Sequence, residues 1–185
     1  MKRQYSILLL TILFLVGVAG GYVIFMKVFS PDMPAQDADE FLIEVEEIFS
    51  LRIYYPLNDQ LLMEERRQPR RTDQLSIAEA VVEEFLKGPV NSVMSAIPRD
   101  SSLLGIYKDT DKILYIDLSD EFRRNFQGDA YTEFLLLKGL YESLISNTPD
   151  IQNVKVLIEG KEIETLGGHL YLLYPLKDIV SPELE

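Results

Sequence analysis

A chain of 185 residues, 47% of them hydrophobic, is long enough for one compact domain with extra segments and too short for two comfortable ones. It has no cysteine and a single histidine, His169, which excludes disulfides, thiolate chemistry and iron–sulfur sites and removes most zinc and histidine-based catalytic arrangements. The formal charge is −12, and taking away the two positive charges of Lys2 and Arg3 at the amino terminus leaves −14 on the remainder, a surface that repels nucleic acid and anionic lipid and suits a protein or neutral partner.

Ser6 to Met26 runs 21 residues without a charge. As a helix it spans about 31 Å, against a hydrocarbon core of about 30 Å. A cleaved signal peptide has an apolar centre of ~7–15 residues and then a small-residue cleavage site. Gly17-Val18-Ala19 resembles such a site only weakly, and the apolar run continues through Tyr22-Val23-Ile24-Phe25. The expectation is a retained, single-pass anchor over residues 6–29. Lys2 and Arg3 precede it, while Lys27 alone follows before Asp32, Asp37, Asp39 and Glu40. That bias places residues 1–5 in the cytoplasm and the body of the protein on the periplasmic or extracytoplasmic side of a bacterial inner membrane. Gly17 and Gly21 have G-x-x-x-G spacing, but glycines are common in membrane helices without pairing them.

Residues 30–46 read as a linker, polar and proline-containing over Ser30–Asp39 and ambiguous between helix and strand over Phe41–Glu46. A domain is expected over 47–176. Phe49, Leu51, Ile53 and Tyr55 alternate with Ser50, Arg52 and Tyr54, a strand ending at Pro56. Leu57-Asn58-Asp59-Gln60 is a turn, and Leu61–Gln68 returns as a more polar edge strand. Ser76–Lys87 is a helix with Ser76 and Glu79 as a capping box, Ile77, Val81 and Phe85 on one face, and Gly88-Pro89 as the stop.

Leu103–Phe122 reads as strand, turn, strand and helix start. Leu114, Ile116 and Leu118 mark the buried face, Leu104 and Ile106 cover it from the first arm, and Ser119 occupies the cap position. After a short helical piece over Asp120–Phe126, Asp129 caps a longer helix to about Asn147, striped by Phe134, Leu137, Tyr141 and Leu144. Val154, Val156 and Ile158 form a further strand, Ile163–Leu166 a short return, Leu170–Tyr174 a last extended segment, and 177–185 a tail. The order β-β-α-β-β-α-β predicts an α+β fold, a mixed β-sheet with two main helices packed on one face.

Leu51-Arg52-Ile53-Tyr54-Tyr55-Pro56, Leu86-Lys87-Gly88-Pro89, Ala96-Ile97-Pro98, Ile116-Asp117-Leu118-Ser119-Asp120-Glu121-Phe122, Val154 to Gly160 and Glu164-Thr165-Leu166-Gly167-Gly168-His169 come in an order that resembles the GerMN domain of the sporulation and spore-germination (GerM) family. The likeness covers roughly Phe49 to Leu176. It implies a membrane-attached protein whose domain lies outside the cytoplasmic membrane, with a fold like the ring-building modules of secretion systems and no enzyme activity. This chain differs from the sporulation members in having one copy of the domain and no cysteine to carry a lipid.

Arg66, Arg67, Arg70 and Arg71 are the only dense basic cluster and a possible contact surface for a phosphate group, lipid heads or an acidic partner; a solvated, charge-protected edge strand explains them about as well. Tyr54, Tyr107 and Tyr115, with Tyr55, form a possible aromatic face for glycan strands or another subunit. Asp117, Asp120 and Glu121 have the residue types of a carboxylate pair or an oxygen-rich metal site, yet read more simply as a strand end and a helix start. His169 reads as a hydrogen-bonded structural residue. No catalytic residue, metal or cofactor is expected. The leading expectation is an interaction or scaffold module of the cell envelope that binds an envelope protein or its own copies; a peptidoglycan- or small-ligand-binding domain is second, and a hydrolase last.

Overall fold

The chain divides into two units, 1–45 and 46–185. The computed structural model describes residues 2–29, 48–90 and 96–181; the expected linker over 30–46 lies outside these. In the first unit Lys2–Phe29 forms one helix, α1, of 28 residues. Among the described residues no helix is long and apolar enough to cross a membrane.

The second unit is a mixed α+β fold. Strands β1 (Ile48–Leu57) and β2 (Gln60–Pro69) form an antiparallel hairpin. Asn58 and Asp59 both have positive φ, 48° and 62°, the two-residue turn whose twist suits antiparallel strands. Leu51, Ile53 and Tyr55 are fully buried, as the alternation predicts. Helix α2 (Gln74–Lys87) follows. It starts earlier than the expected capping box: Asp73 caps it, its Oδ2 accepting the Ser76 N–H at 2.9 Å and the Ser76 hydroxyl at 3.1 Å. Ser76 is thereby drawn into the first turn as a donor, because an ionised carboxylate is the stronger acceptor. Gly88, with φ 77°, ends the helix.

Strands β3 (Leu103–Lys108), β4 (Ile113–Leu118) and β5 (Asn153–Ile158) make a second sheet in the order β3-β4-β5, antiparallel then parallel. Leu114, Ile116 and Leu118 are fully buried beside Val154, Val156 and Ile158, each worth roughly 1.5–3 kcal/mol of burial. Leu104 does not share this face, contrary to the alternation. A bulge between Leu103 and Gly105 turns it outward, 54% exposed, and lets Leu103 pack with Ile106 instead. In the β3–β4 turn Asp109 Oδ1 accepts the N–H groups of Asp111 and Ile113, both at 2.9 Å.

Helix α3 (Glu121–Arg124) is short, and Ser119 does not cap it. The Ser119 hydroxyl accepts the Ser102 N–H at 3.1 Å and so ties the start of β3 to the end of β4. Helix α4 (Ala130–Asn147) begins at Asp129 as expected, with Oδ1 accepting the Thr132 N–H at 2.9 Å. The residues expected as a short strand at 163–166 and an extended segment at 170–174 form no strand and are linked by the Leu172 N–H on Glu164 O, although Ile163, Leu166 and Leu172 are buried. The end of the domain is not a tail from 177: Leu176–Val180 forms helix α5, which buries Leu176 and Val180 against α4 and β5.

The single mixed sheet expected from the element order is two sheets. The reason lies at the second edge of β1, which helix α4 occupies in place of a strand. Ser143 Oγ accepts the Tyr54 N–H at 2.9 Å, Asn147 Oδ1 accepts the Arg52 N–H at 3.1 Å, and Asn147 Nδ2 donates to Arg52 O at 2.7 Å. Side chains of α4 thus satisfy the ladder groups that a neighbouring strand would have used. The approach is close enough that a Cβ at Gly139 would stand 2.5 Å from Tyr54 O.

The two helix caps set an acid limit. Asp73 and Asp129 are held below the usual carboxylate range, chiefly by the backbone N–H groups of Ser76 and Thr132 and then by their hydroxyls. A carboxyl depressed by folding stabilises the fold above its unfolded pKa, about 3.9, and loses that contribution as pH falls through the lower folded value. Melting temperatures are therefore expected to fall below about pH 4, and Asp73→Asn/Asp129→Asn to flatten that fall, since asparagine caps without titrating. An unchanged acid slope in circular-dichroism melts would refute the assignment.

Candidate interaction surface

The outer face of the β3-β4-β5 sheet carries Ile113, Tyr115 and Asp117 of β4, opposite in side-chain direction to the buried leucines and isoleucine. On β5 that face is covered. Lys155 is buried, with Nζ on Leu173 O and 3.1 Å from Glu162, and Leu157 is buried beside it. Asp117 Oδ1 accepts the Gly160 N–H at 2.7 Å. Toward β3 the covering stops. Tyr107 and Tyr115 are register partners across β3 and β4, and their rings stack with centroids 4.7 Å apart and planes within 4°. Tyr107 is half exposed at the sheet edge. The Tyr115 hydroxyl is pushed up from its ordinary pKa, first by burial and then by its hydrogen bond to Asp109. The pair is a preformed aromatic surface with a fixed orientation.

Tyr54 does not join it. It lies on β1, in the other sheet, with its N–H held by Ser143. Tyr55 is a core residue that stacks on Phe85 and donates to Glu84 O at 2.7 Å. Of the four arginines, Arg66, Arg67 and Arg71 are likewise separated. Arg66 is tucked inward, 2.8 Å from Glu64, donating to the Tyr55 hydroxyl and to Gly88 O at 2.9 Å. Arg67 is exposed on the opposite side of β2, and Arg71 holds Ser76 O at 3.0 Å. The three acids do folding work: Asp117 fixes the turn at Gly160, while Asp120 and Glu121 pair with Arg124 at 3.4 and 2.5 Å. Among the described residues no group of three metal-ligating side chains converges.

His169 is hydrogen-bonded to Glu133, a partner that no sequence motif marks. Glu133 is fully buried; its Oε1 accepts the Leu166 N–H and its Oε2 the His169 N–H, both at 3.2 Å, and Oε2 stands 2.8 Å from His169 Nδ1. In the sequence Glu133 reads as an ordinary first-turn acid near a helix N-terminus. The arrangement is a latch between α4 and the loop around Gly167-Gly168.

A family model described as Germane, sporulation and spore germination, matches residues 52–164. Among solved structures, a Clostridium perfringens protein described as a candidate lipoprotein superposes with a TM-score of 0.53 at 22% identity, over 71% of this chain and 89% of that one. The tandem GerMN domains of the sporulation protein GerM from Bacillus subtilis give 0.48 at 19% identity, over 65% of this chain and 43% of that one. The first of those domains alone gives 0.47 at 18%, over 65% and 90%. The first of these likenesses supports the fold alone. Comparison with curated proteins finds no match.

Proposed function

Since this chain belongs to the Germane family of sporulation and spore germination, we propose that it is an interaction module of the bacterial cell envelope, held by α1 in the cytoplasmic membrane with its domain on the extracytoplasmic side. The uncharged run Ser6–Met26, lying within one continuous helix, supports the anchor, and the basic residues before it support the orientation. With no cysteine available for a lipid, the helix itself is the attachment.

The observation that carries the contact reading is the stacked Tyr107–Tyr115 pair, with Tyr107 half exposed at the sheet edge where the covering of β5 does not reach. Exposed, rigid aromatic side chains are the commonest energetic anchors of protein interfaces. A photoreactive amino acid at position 107 of the full chain, activated in intact cells, is expected to capture a discrete envelope protein, and Tyr115→Ala to abolish that capture. Capture insensitive to Tyr115→Ala, or none at all, would overturn this reading. Aromatic rings also stack on sugars, so a peptidoglycan-binding role is the second reading. Co-sedimentation of the full chain with isolated cell wall, lost in Tyr107→Ala, would favour it instead.

A further inference from the structure

Strand β2 presents Glu64-Glu65-Arg66-Arg67 on the outer strand of its two-stranded sheet. Its free edge can be assigned residue by residue. Arg52 and Tyr54 direct their N–H groups away from β2, toward α4. In an antiparallel ladder directly opposite residues turn their main-chain groups the same way, both inward or both outward. Glu65 and Met63, the partners of Arg52 and Tyr54, therefore face outward, and so does Arg67, the partner of Ser50. Among the described residues no strand pairs with this edge.

We propose that two copies of this chain pair through β2, antiparallel about a two-fold axis at Arg66, so that Glu65 lies opposite Arg67 of the partner subunit and Arg67 opposite the partner's Glu65. A two-fold restricts the axis to a residue position, and among the charged positions Glu65, Arg66 and Arg67 the exposed face favours Arg66. An axis perpendicular to a sheet must pass where a residue meets its own copy, since directly opposite side chains share a face. Centred on Glu65 or on Arg67, the axis would set like charges against each other on an exposed face, which is destabilising. Centred on Arg66 it makes two opposite-charge pairs, and the outward main-chain groups of Glu65 and Arg67 fall in hydrogen-bonded positions. The arginine on the axis is already neutralised by Glu64 at 2.8 Å and bent toward Tyr55 and Gly88, with its side chain 13% exposed.

Edge strands commonly avoid pairing by carrying charge, lysine especially, or by a proline, a bulge or a cover. This edge carries both signs, in an order that matches itself on reversal. The result is a continuous four-stranded sheet, β1-β2-β2-β1. A single strand pair buries little area, so the association is weak in dilute solution and favoured where copies are concentrated.

The chain has no native cysteine, which makes the test direct. Full-length Glu65→Cys and Arg67→Cys copies, differently tagged and produced together, are oxidised in the membranes of the producing cells. The proposed register brings these two positions to about 5.5 Å between Cα atoms, within disulfide range. The mixed disulfide is expected to exceed either same-site product severalfold; equal or absent mixed product overturns the register. Independently, Glu65→Arg is expected to weaken self-association of the full chain about tenfold, two symmetric pairs turning repulsive together. Glu65→Arg/Arg67→Glu should restore it, and failure to restore overturns the pairing. None of these substitutions touches Tyr107. Loss of the dimer evidence with retained capture from position 107 sinks this proposal alone, and the converse sinks the aromatic-contact reading alone.

Discussion

Gly139→Ala is expected to destabilise the domain by about 2–3 kcal/mol, a fall of roughly 5–10 °C in melting temperature. Helix propensity alone argues the other way, since alanine in a helix interior is favoured over glycine by about 1 kcal/mol. The seam decides the sign. The new Cβ would stand 2.5 Å from Tyr54 O, 3.3 Å from a Leu61 methyl carbon and 3.4 Å from the Phe85 ring. A backbone oxygen in a paired strand does not give way as a flexible side chain does, so β1 and α4 must separate. That separation stretches the Ser143 and Asn147 bonds to β1, each worth about 1 kcal/mol. Overpacking costs typically 1–3 kcal/mol, and with the weakened bonds it outweighs the propensity gain. Ser143→Ala, which removes the partner of the Tyr54 N–H without adding bulk, is expected to cost about half as much. Thermal melts of both variants check this; an unchanged or higher melting temperature for Gly139→Ala would show that α4 does not approach β1 as described.

Glu133→Ala is expected to cost about 2–4 kcal/mol and to release the loop it holds. The side chain is fully buried and accepts the N–H groups of Leu166 and His169. Removing it leaves two N–H groups without their acceptor, at roughly 1–3 kcal/mol each, with some recovered by water entering the gap. Glu133→Gln keeps the shape and one acceptor oxygen and should cost clearly less. The loop is local to the latch, so the early sign is cleavage near Gly167-Gly168 in limited proteolysis, at conditions where the remainder stays folded. A Glu133→Ala protein as resistant as the wild type would contradict the latch.

Both effects arise where the one-dimensional pattern is silent. Glu133 has the residue type and position of a routine helix-start acid. Gly139, Ser143 and Asn147 do leave a trace, a row of small or polar residues at four-residue spacing along α4. Periodicity shows that such a row exists but not what it meets. Closeness in sequence makes the four arginines read as one patch; strand alternation sends Arg66 inward and Arg67 outward. Residue type alone groups Tyr54 with Tyr107 and Tyr115, and the division into two sheets parts them.

The amino-acid order alone determined what depends on near neighbours. The hairpin turn at Asn58-Asp59, the buried alternation of Leu114, Ile116 and Leu118, the Asp129 cap and the glycine stop after α2 each follow from backbone preference or from contacts a few residues away. Tertiary structure decided what closes each edge and face. The bonds that put α4 on the edge of β1 join residues 89 and 95 positions apart, and the latch on Leu166 spans 33. A buried N–H must find an acceptor, but several distant side chains qualify, and only the packed fold selects among them.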